Sequence, residues 1–299
     1  LSLNSNMIYS FKELQYFTNI TSCDLNCENL FEVQFPDGLD SIIYVGSSKL
    51  KKITLPKSCK YIGPNAFSLA ENSHFEFNDS LEYISTGAFG TFNRNFILPS
   101  SITTIEDRAM YIGSKEFIFP ENLIGDPGGV RLLDSVETIY WNTIKFEKAY
   151  SISPYSGIAL ARGTWYSGSG VTYYSDYNKT IKNIIIGNSV IAIPSFAFCY
   201  LDGLKEINIP DNVQSLGSGC FRGCRNLETI TIGNGVSTIH SSAFEDCEDL
   251  TIVNIGNSVT NIGSSAFYGC YKIKYVYSRA QTPPILGSYV FTDKVGIIY

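Results

Sequence analysis

Apolar residues return along the second half of this chain in a fixed rhythm. Leu204, Ile207, Ile209, Val213, Leu216, Phe221 and Cys224 are followed by Leu227, Ile230, Ile232, Val236, Ile239, Phe244 and Cys247, then by Leu250, Val253, Ile255, Val259, Ile262, Phe267 and Cys270. The step is 23 residues, as the positions of Phe198, Phe221, Phe244 and Phe267 show. Within a unit, Leu204-x-x-Ile207-x-Ile209 alternates as a short strand with one buried face does. Pro210-Asp211-Asn212, and later Gly233-Asn234-Gly235 and Gly256-Asn257-Ser258, are turn residues. Val213-x-x-Leu216 then re-enters as a shorter extended piece, and the Phe and Cys follow in a tight, 3₁₀-like segment. Each unit is therefore predicted as strand, turn, short extended segment and tight turn.

One such unit cannot bury its apolar face alone, so neighbouring units must stack, and a fixed period of this length predicts a solenoid. The fold class expected is a mainly β repeat solenoid with short turns and 3₁₀ segments. The pattern persists upstream with wear: Leu50, Ile53, Leu55, Cys59, Ile62 and Phe67; Phe75, Phe77, Leu81, Ile84 and Phe89; Phe96, Leu98, Ile102, Ile105 and Met110. Leu30, Val33, Phe35, Leu39 and Ile42 keep the strand and lose the Phe, while Phe17, Ile20 and Cys27 hint at a further unit.

The register fails over residues 121–183. Asp126-Pro127-Gly128-Gly129 breaks the backbone, Val136, Ile139 and Trp141 suggest a strand, and a Gly/Ser/Tyr-rich stretch carries Trp165, Tyr166, Tyr173, Tyr174 and Tyr177. Long irregular segments inside compact arrays are often functional. Ile273, Val276 and Phe291 resume the phase. We expect one solenoid over residues 1–299 with an irregular insertion at 121–183. The chain starts and stops in mid-unit, so a longer natural protein is expected.

Composition narrows the class. With 44% hydrophobic and 17% charged residues the chain has ample core material. A net charge of −6 and no Lys/Arg-dense run argue against nucleic acid, and no apolar stretch is long enough to insert in a membrane. The eight cysteines follow the repeat: Cys224, Cys247 and Cys270 share one register, Cys59 stands where other units have Val, and Cys220 replaces an Ala. They read as small core residues, with a disulfide between stacked thiols as the alternative.

The string Leu-x-x-Ile-x-Ile-Pro-x-x-Val-x-x-Leu-Gly-x-x-x-Phe-x-x-Cys, from Leu204 to Cys224, resembles the BspA-like leucine-rich repeat of bacterial surface proteins. The resemblance is strong over residues 181–291 and weaker over 30–110. It implies a curved leucine-rich-repeat solenoid at the cell surface or secreted, used in adhesion or host recognition, and it carries no catalytic residues.

Chemistry is sparse beside it. His74 and His240 lack partners at ligand spacing, and no nucleophile elbow or phosphate loop appears, so no catalytic residue, cofactor or metal is assigned. Glu245-Asp246-Cys247-Glu248-Asp249 suggests calcium, yet Arg222 and Arg225 stand one period earlier at the registers of Glu245 and Glu248, which predicts an ion-pair ladder between coils. The outward strand positions are polar in the middle and end in Tyr275 and Tyr277. Those two tyrosines are candidate ligand contacts, or else pack beneath a terminal element. Trp165, Tyr166, Tyr173, Tyr174 and Tyr177 form a second candidate patch, or seal a coil. The expectation is a non-enzymatic binder of a protein or glycan ligand; the alternative is a spacer displaying another domain.

Overall fold

The computed structural model describes residues 1–71, 73–92, 96–106, 108–123, 130–133, 135–142, 179–292 and 296–298. The chain folds as two compact units, Leu1–Val136 and Glu137–Tyr299. Each is a stack of parallel β-coils, and no α-helix occurs among the described residues.

In the second unit the Leu-x-x-Ile-x-Ile segments become one parallel ladder of Glu206–Ile209, Thr229–Ile232, Ile252–Ile255, Tyr275–Ser278 and Gly296–Ile298. We call it the long ladder. Its register follows the repeat: Glu206 pairs with Thr229, Thr229 with Ile252 and Ile252 with Tyr275. Alternate residues face inward, so Ile207, Ile230, Val253 and Val276 are buried. The Val-x-x-Leu segments form a second, short ladder of Ala192–Ile193, Ser215–Leu216, Thr238–Ile239, Asn261–Ile262 and Ile285–Leu286.

Between the ladders the Phe side chains make a column. Ring centroids of Phe221, Phe244 and Phe267 are 5.3 Å apart with planes 3° from parallel, and Phe291 continues at 5.4 Å. The spacing follows from the separation of adjacent strands, about 4.8 Å, which holds identical rings in offset stacks. The Cys column lies beside it: the thiols of Cys224, Cys247 and Cys270 donate to the carbonyls of Phe198, Phe221 and Phe244 at 3.1, 3.3 and 3.1 Å. All eight cysteines are free and buried, as small core residues should be.

The tight segments are turns rather than 3₁₀ helices. Arg222 N–H bonds Gly219 O at 3.0 Å and Cys224 N–H bonds Phe221 O at 3.3 Å, a 3₁₀-type pattern. Left-handed residues at 219 and 223 (φ 59° and 70°) interrupt it. A Cβ at either glycine would collide with the ring of Phe196 or Tyr200 from the preceding coil. The one 3₁₀ helix among the described residues is Lys12–Tyr16, which buries Leu14. Phe17, at its end, is 47% exposed rather than a core residue.

In the first unit the continuity is reversed. The counterpart of the short ladder is a six-stranded sheet of Ser2–Asn4, Ser22–Asn26, Ser41–Val45, Tyr61–Ile62, Tyr83–Ile84 and Thr104–Ile105. The counterpart of the long ladder is broken into the pairs Ser10–Phe11 with Glu32–Val33 and Lys52–Thr54 with His74–Glu76. Val45 N–H bonds Ala66 O as Phe67 N–H bonds Ala88 O, so Val45 takes the place of the missing Phe. Phe67 and Phe89 still stack, at 5.7 Å and 12°. Phe75, Phe77, Phe92 and Phe96 crowd round them largely edge-on or tilted.

The irregular stretch expected over 121–183 contains ordered strands. Val130–Leu132 pairs with Met110–Ile112 in the first unit. In the second, Thr138–Trp141 pairs directly with Asn183–Ile186, residue 138 opposite 183, so two adjacent strands flank residues 143–178.

Candidate functional site

The outer face of the long ladder in the second unit gathers the exposed side chains that the strand alternation leaves outside. One column runs Glu206, Thr229, Ile252, Tyr275 and the next runs Asn208, Thr231, Asn254, Tyr277. Upstream, Thr138 stands opposite Asn183 and Tyr140 opposite Ile185 on the same kind of face. These four were not among the outward residues read from the sequence. Their signal was the Thr-Ile-Tyr-Trp alternation, but the register that brings it to Asn183 crosses the irregular stretch.

The face is hollow. Thr138, Tyr140, Asn183, Ile185, Glu206, Asn208, Thr229 and Thr231 line a depression of about 450 Å³. A second, of about 640 Å³, opens at the strand ends among Asn208, Asp211, Thr231, Asn234, Asn254 and Arg279. A third, of about 620 Å³, lies at the strand starts between Lys182, Asp202, Lys205, Glu206 and Glu228.

The hydrogen-bonding capacity of this face is open in the middle and closed at the rim. Three rim lysines are paired, Lys205 with Glu228 at 3.3 Å, Lys182 with Glu137 at 3.0 Å and Lys272 with Asp249 at 2.7 Å. Asp211 accepts from Asn234 N–H at 2.6 Å, and Asn234 from Asn257 N–H at 3.2 Å. By contrast, the side chains of Glu206, Asn208, Thr229, Thr231 and Asn254 make no hydrogen bond or ion pair with any described residue. Tyr275 and Tyr277 are 52% and 46% exposed, so neither is covered by another element of the described structure. Trp165, Tyr166, Tyr173, Tyr174 and Tyr177 lie outside the described residues.

The ion-pair ladder is present: Arg222 reaches Glu245 at 3.3 Å and Arg225 reaches Glu248 at 3.8 Å. Among the described residues no cluster of three or more His, Cys, Asp and Glu side chains is placed to hold a metal. His74 and His240 are exposed. Burial pushes the Cys199 thiol up to about 12 and that of Cys59 to about 11 and holds Cys224 and Cys247 well above the ordinary thiol value, which makes these four poor nucleophiles.

One carboxylate in the first unit has a marked environment that the sequence did not reveal. Glu106 accepts from Ser85 Oγ at 2.5 Å, from Tyr83 Oη, and from Thr86 N–H at 2.9 Å. These donors, Ser85 foremost, pull its carboxyl down to about 2, and the same contact raises the Tyr83 phenol to about 12. The cluster ties adjacent coils together.

Coils of this period, with one strand per coil in a parallel ladder and a Leu/Ile/Phe core, define a leucine-rich-repeat solenoid. The chain belongs to the family described as BspA type leucine rich repeat region, which it matches in six copies over residues 21–124 and 171–297. No curated protein matches it significantly. Among solved structures it is similar to a leucine-rich repeat protein from Bacteroides ovatus, with 20% identity over 87% of this chain and 76% of that one and a TM-score of 0.39. It is also similar to the pneumococcal vaccine antigen PcpA, with 17% identity, coverage of 91% and 64%, and a TM-score of 0.36. A leucine rich cell surface protein from Faecalibacterium prausnitzii gives 16% identity, coverage of 95% and 83%, and a TM-score of 0.34. No helix among the described residues is long and apolar enough to cross a membrane.

Proposed function

We propose that this protein is a non-enzymatic binder, secreted or held at a cell surface, that recognises a protein or glycan through the outer face of its long ladder. The observation that carries this reading is the row of Glu206, Asn208, Thr229, Thr231 and Asn254, whose polar groups no other part of the described chain engages, set in a depression and followed by exposed Tyr275 and Tyr277. Side chains presented at a fixed spacing on a rigid sheet are pre-organised, which lowers the cost of ordering them on binding. The aromatic segment with Trp165, Tyr166, Tyr173, Tyr174 and Tyr177 is proposed as a second contact. Family membership supports a binding role, and the thiols and histidines offer no catalytic arrangement among the described residues.

The test is capture of matrix proteins and glycans by the immobilised protein and by its Thr231→Arg variant. Binding that the substitution abolishes supports the reading; a protein that captures nothing acts as a spacer. Turnover of a glycan that is lost on changing one carboxylate would overturn the non-enzymatic assignment.

A further inference from the structure

We infer that the long-ladder face of the second unit takes an uncharged polysaccharide chain laid across the strands. This rests on that face being the binding surface and goes further, by choosing the ligand's chemistry.

Three observations converge. First, the apolar and polar positions are arranged the wrong way round for a protein partner. Protein interfaces place aromatic or aliphatic anchors at the centre and polar groups at the rim. Here Asn208, Thr229 and Thr231 occupy the centre, while Tyr140 and Ile185 flank it on one side and Ile252, Tyr275 and Tyr277 on the other. Second, the central groups suit hydroxyls. An Asn amide offers two donors and an acceptor and a Thr hydroxyl offers both roles, so a ligand whose every hydroxyl needs both a donor and an acceptor is satisfied there. None of Asn208, Thr229 or Thr231 is engaged by another described side chain. Exposed tyrosine rings add flat apolar surfaces with a polar tip, on which the C–H face of a sugar ring can rest. Third, the charge is nearly nil. Glu206 is the sole ionised group in the two columns, and the lysines beside it are paired to Glu137 and Glu228. A sulfated or uronic acid chain would meet one unpaired carboxylate and no cation in those columns, which is repulsive rather than complementary; Arg279, at the strand ends, is the one exposed cation among the described residues lining the two depressions.

The geometry suits a linear ligand. The four paired strands from Glu206–Ile209 to Tyr275–Ser278 are stacked at roughly 4.8 Å each, about 14 Å in all, and the pair Thr138–Trp141 and Asn183–Ile186 lines the depression beside them. The depressions of about 450 and 640 Å³ share Asn208 and Thr231, so a chain crossing the strands meets them in succession.

Surface-immobilised laminarin, mannan and dextran serve as neutral probes, heparin as the anionic one and gelatin as the protein one. The result expected is binding of at least one neutral polysaccharide but not heparin, weakened about tenfold or more by Asn208→Ala, Thr231→Ala or Tyr277→Ala. Thr54→Ala, in the first unit, leaves it unchanged. These side chains are exposed, and unchanged thermal melts check that the variants fold. Heparin or gelatin bound through the same face overturns the choice of ligand and leaves the face as the binding surface. Neutral binding that no face substitution alters overturns both, and binding of none of the probes overturns the inference.

Discussion

The two units build the same coil and finish it differently. In the second, Phe221, Phe244 and Phe267 stack nearly parallel at 5.3 Å, and the strand face outside is a continuous ladder whose central polar groups are unengaged. In the first, the rings tilt into a cluster, and the corresponding strands are broken into pairs whose polar groups hold one another. Lys52 meets Glu76 at 2.7 Å, Thr54 Oγ1 donates to the same carboxylate at 2.7 Å, and Lys12 meets Glu32 at 3.0 Å. The lesson is that exposure alone does not mark a binding face. A strand face whose charges are paired across coils serves cohesion, whereas one whose donors and acceptors are unengaged is available to a ligand.

The core offers the strongest way to break this comparison. Phe244 is fully buried between two identical neighbours, so Phe244→Ala should cost about 3–5 kcal/mol and loosen both adjoining coils. Phe77 is half-buried in a cluster with several other rings, so Phe77→Ala should cost less, because its neighbours can close over part of the space. Denaturant unfolding of both variants checks the order; equal losses would mean that the column holds no more tightly than the cluster. Thiol labelling sharpens the same point. Cys224 and Cys247 should react far more slowly in the native protein than in denaturant, since burial disfavours their thiolates.

The faces come next. Replacing residues 162–178 by a short Gly/Ser linker should leave the pairing of Thr138–Trp141 with Asn183–Ile186 intact, because loop length changes closure entropy slowly. It should weaken ligand binding about tenfold, or about 1.4 kcal/mol. Thr231→Arg should do at least as much, while Thr54→Arg leaves affinity unchanged. A loss from Thr54→Arg equal to that from Thr231→Arg would erase the distinction between the units.

Most of the coil was legible from sequence because every inward position is fixed by the period: Leu204 to Cys224, read once, places the same atoms in each later copy. The ion pairs of Arg222 and Arg225 were legible for the same reason, since a parallel in-register stack puts residue i beside i+23. The candidate face was half legible. Tyr275 and Tyr277 followed from alternation, whereas Thr138 and Asn183 meet across an offset of 45 that no repeat announces. Glu106 was hidden because its three donors stand at different steps, Tyr83 at 23 residues, Ser85 at 21 and Thr86 at 20, so no single period brings them together. Val45 in the place of a Phe was hidden likewise, since the sequence shows which residue is missing but not which one moves in.

Acid should separate the units. The Glu106 carboxyl is held near 2 against an ordinary 4.5, so its contribution is present at pH above about 4.5 and is lost as pH falls toward 2. The unfolding midpoint of the first unit should therefore drop over that window, and Glu106→Gln should flatten the drop. Hydrogen exchange followed by mass spectrometry localises the effect; an unaltered acid profile in the variant would exclude Glu106 as its cause.

The smallest effect expected is at the rim of the open face. Lys205 and Glu228 are both well exposed, with 75% and 53% of their side chains accessible, and meet at 3.3 Å. A pair of this kind gains little Coulomb energy in water and gives up side-chain freedom, so Lys205→Ala should change stability by only about 0–1 kcal/mol. Its informative consequence lies in binding. Removing the lysine frees the Glu228 carboxylate beside Glu206 and makes the rim more negative, which leaves an uncharged ligand unaffected but repels an anionic one more strongly. An affinity for laminarin, mannan or dextran that is the same in Lys205→Ala as in the parent, at low and at high salt, is the outcome expected if the face reads hydroxyls. A salt-dependent loss would instead place the paired charges, rather than the unengaged amides and hydroxyls, at the centre of recognition.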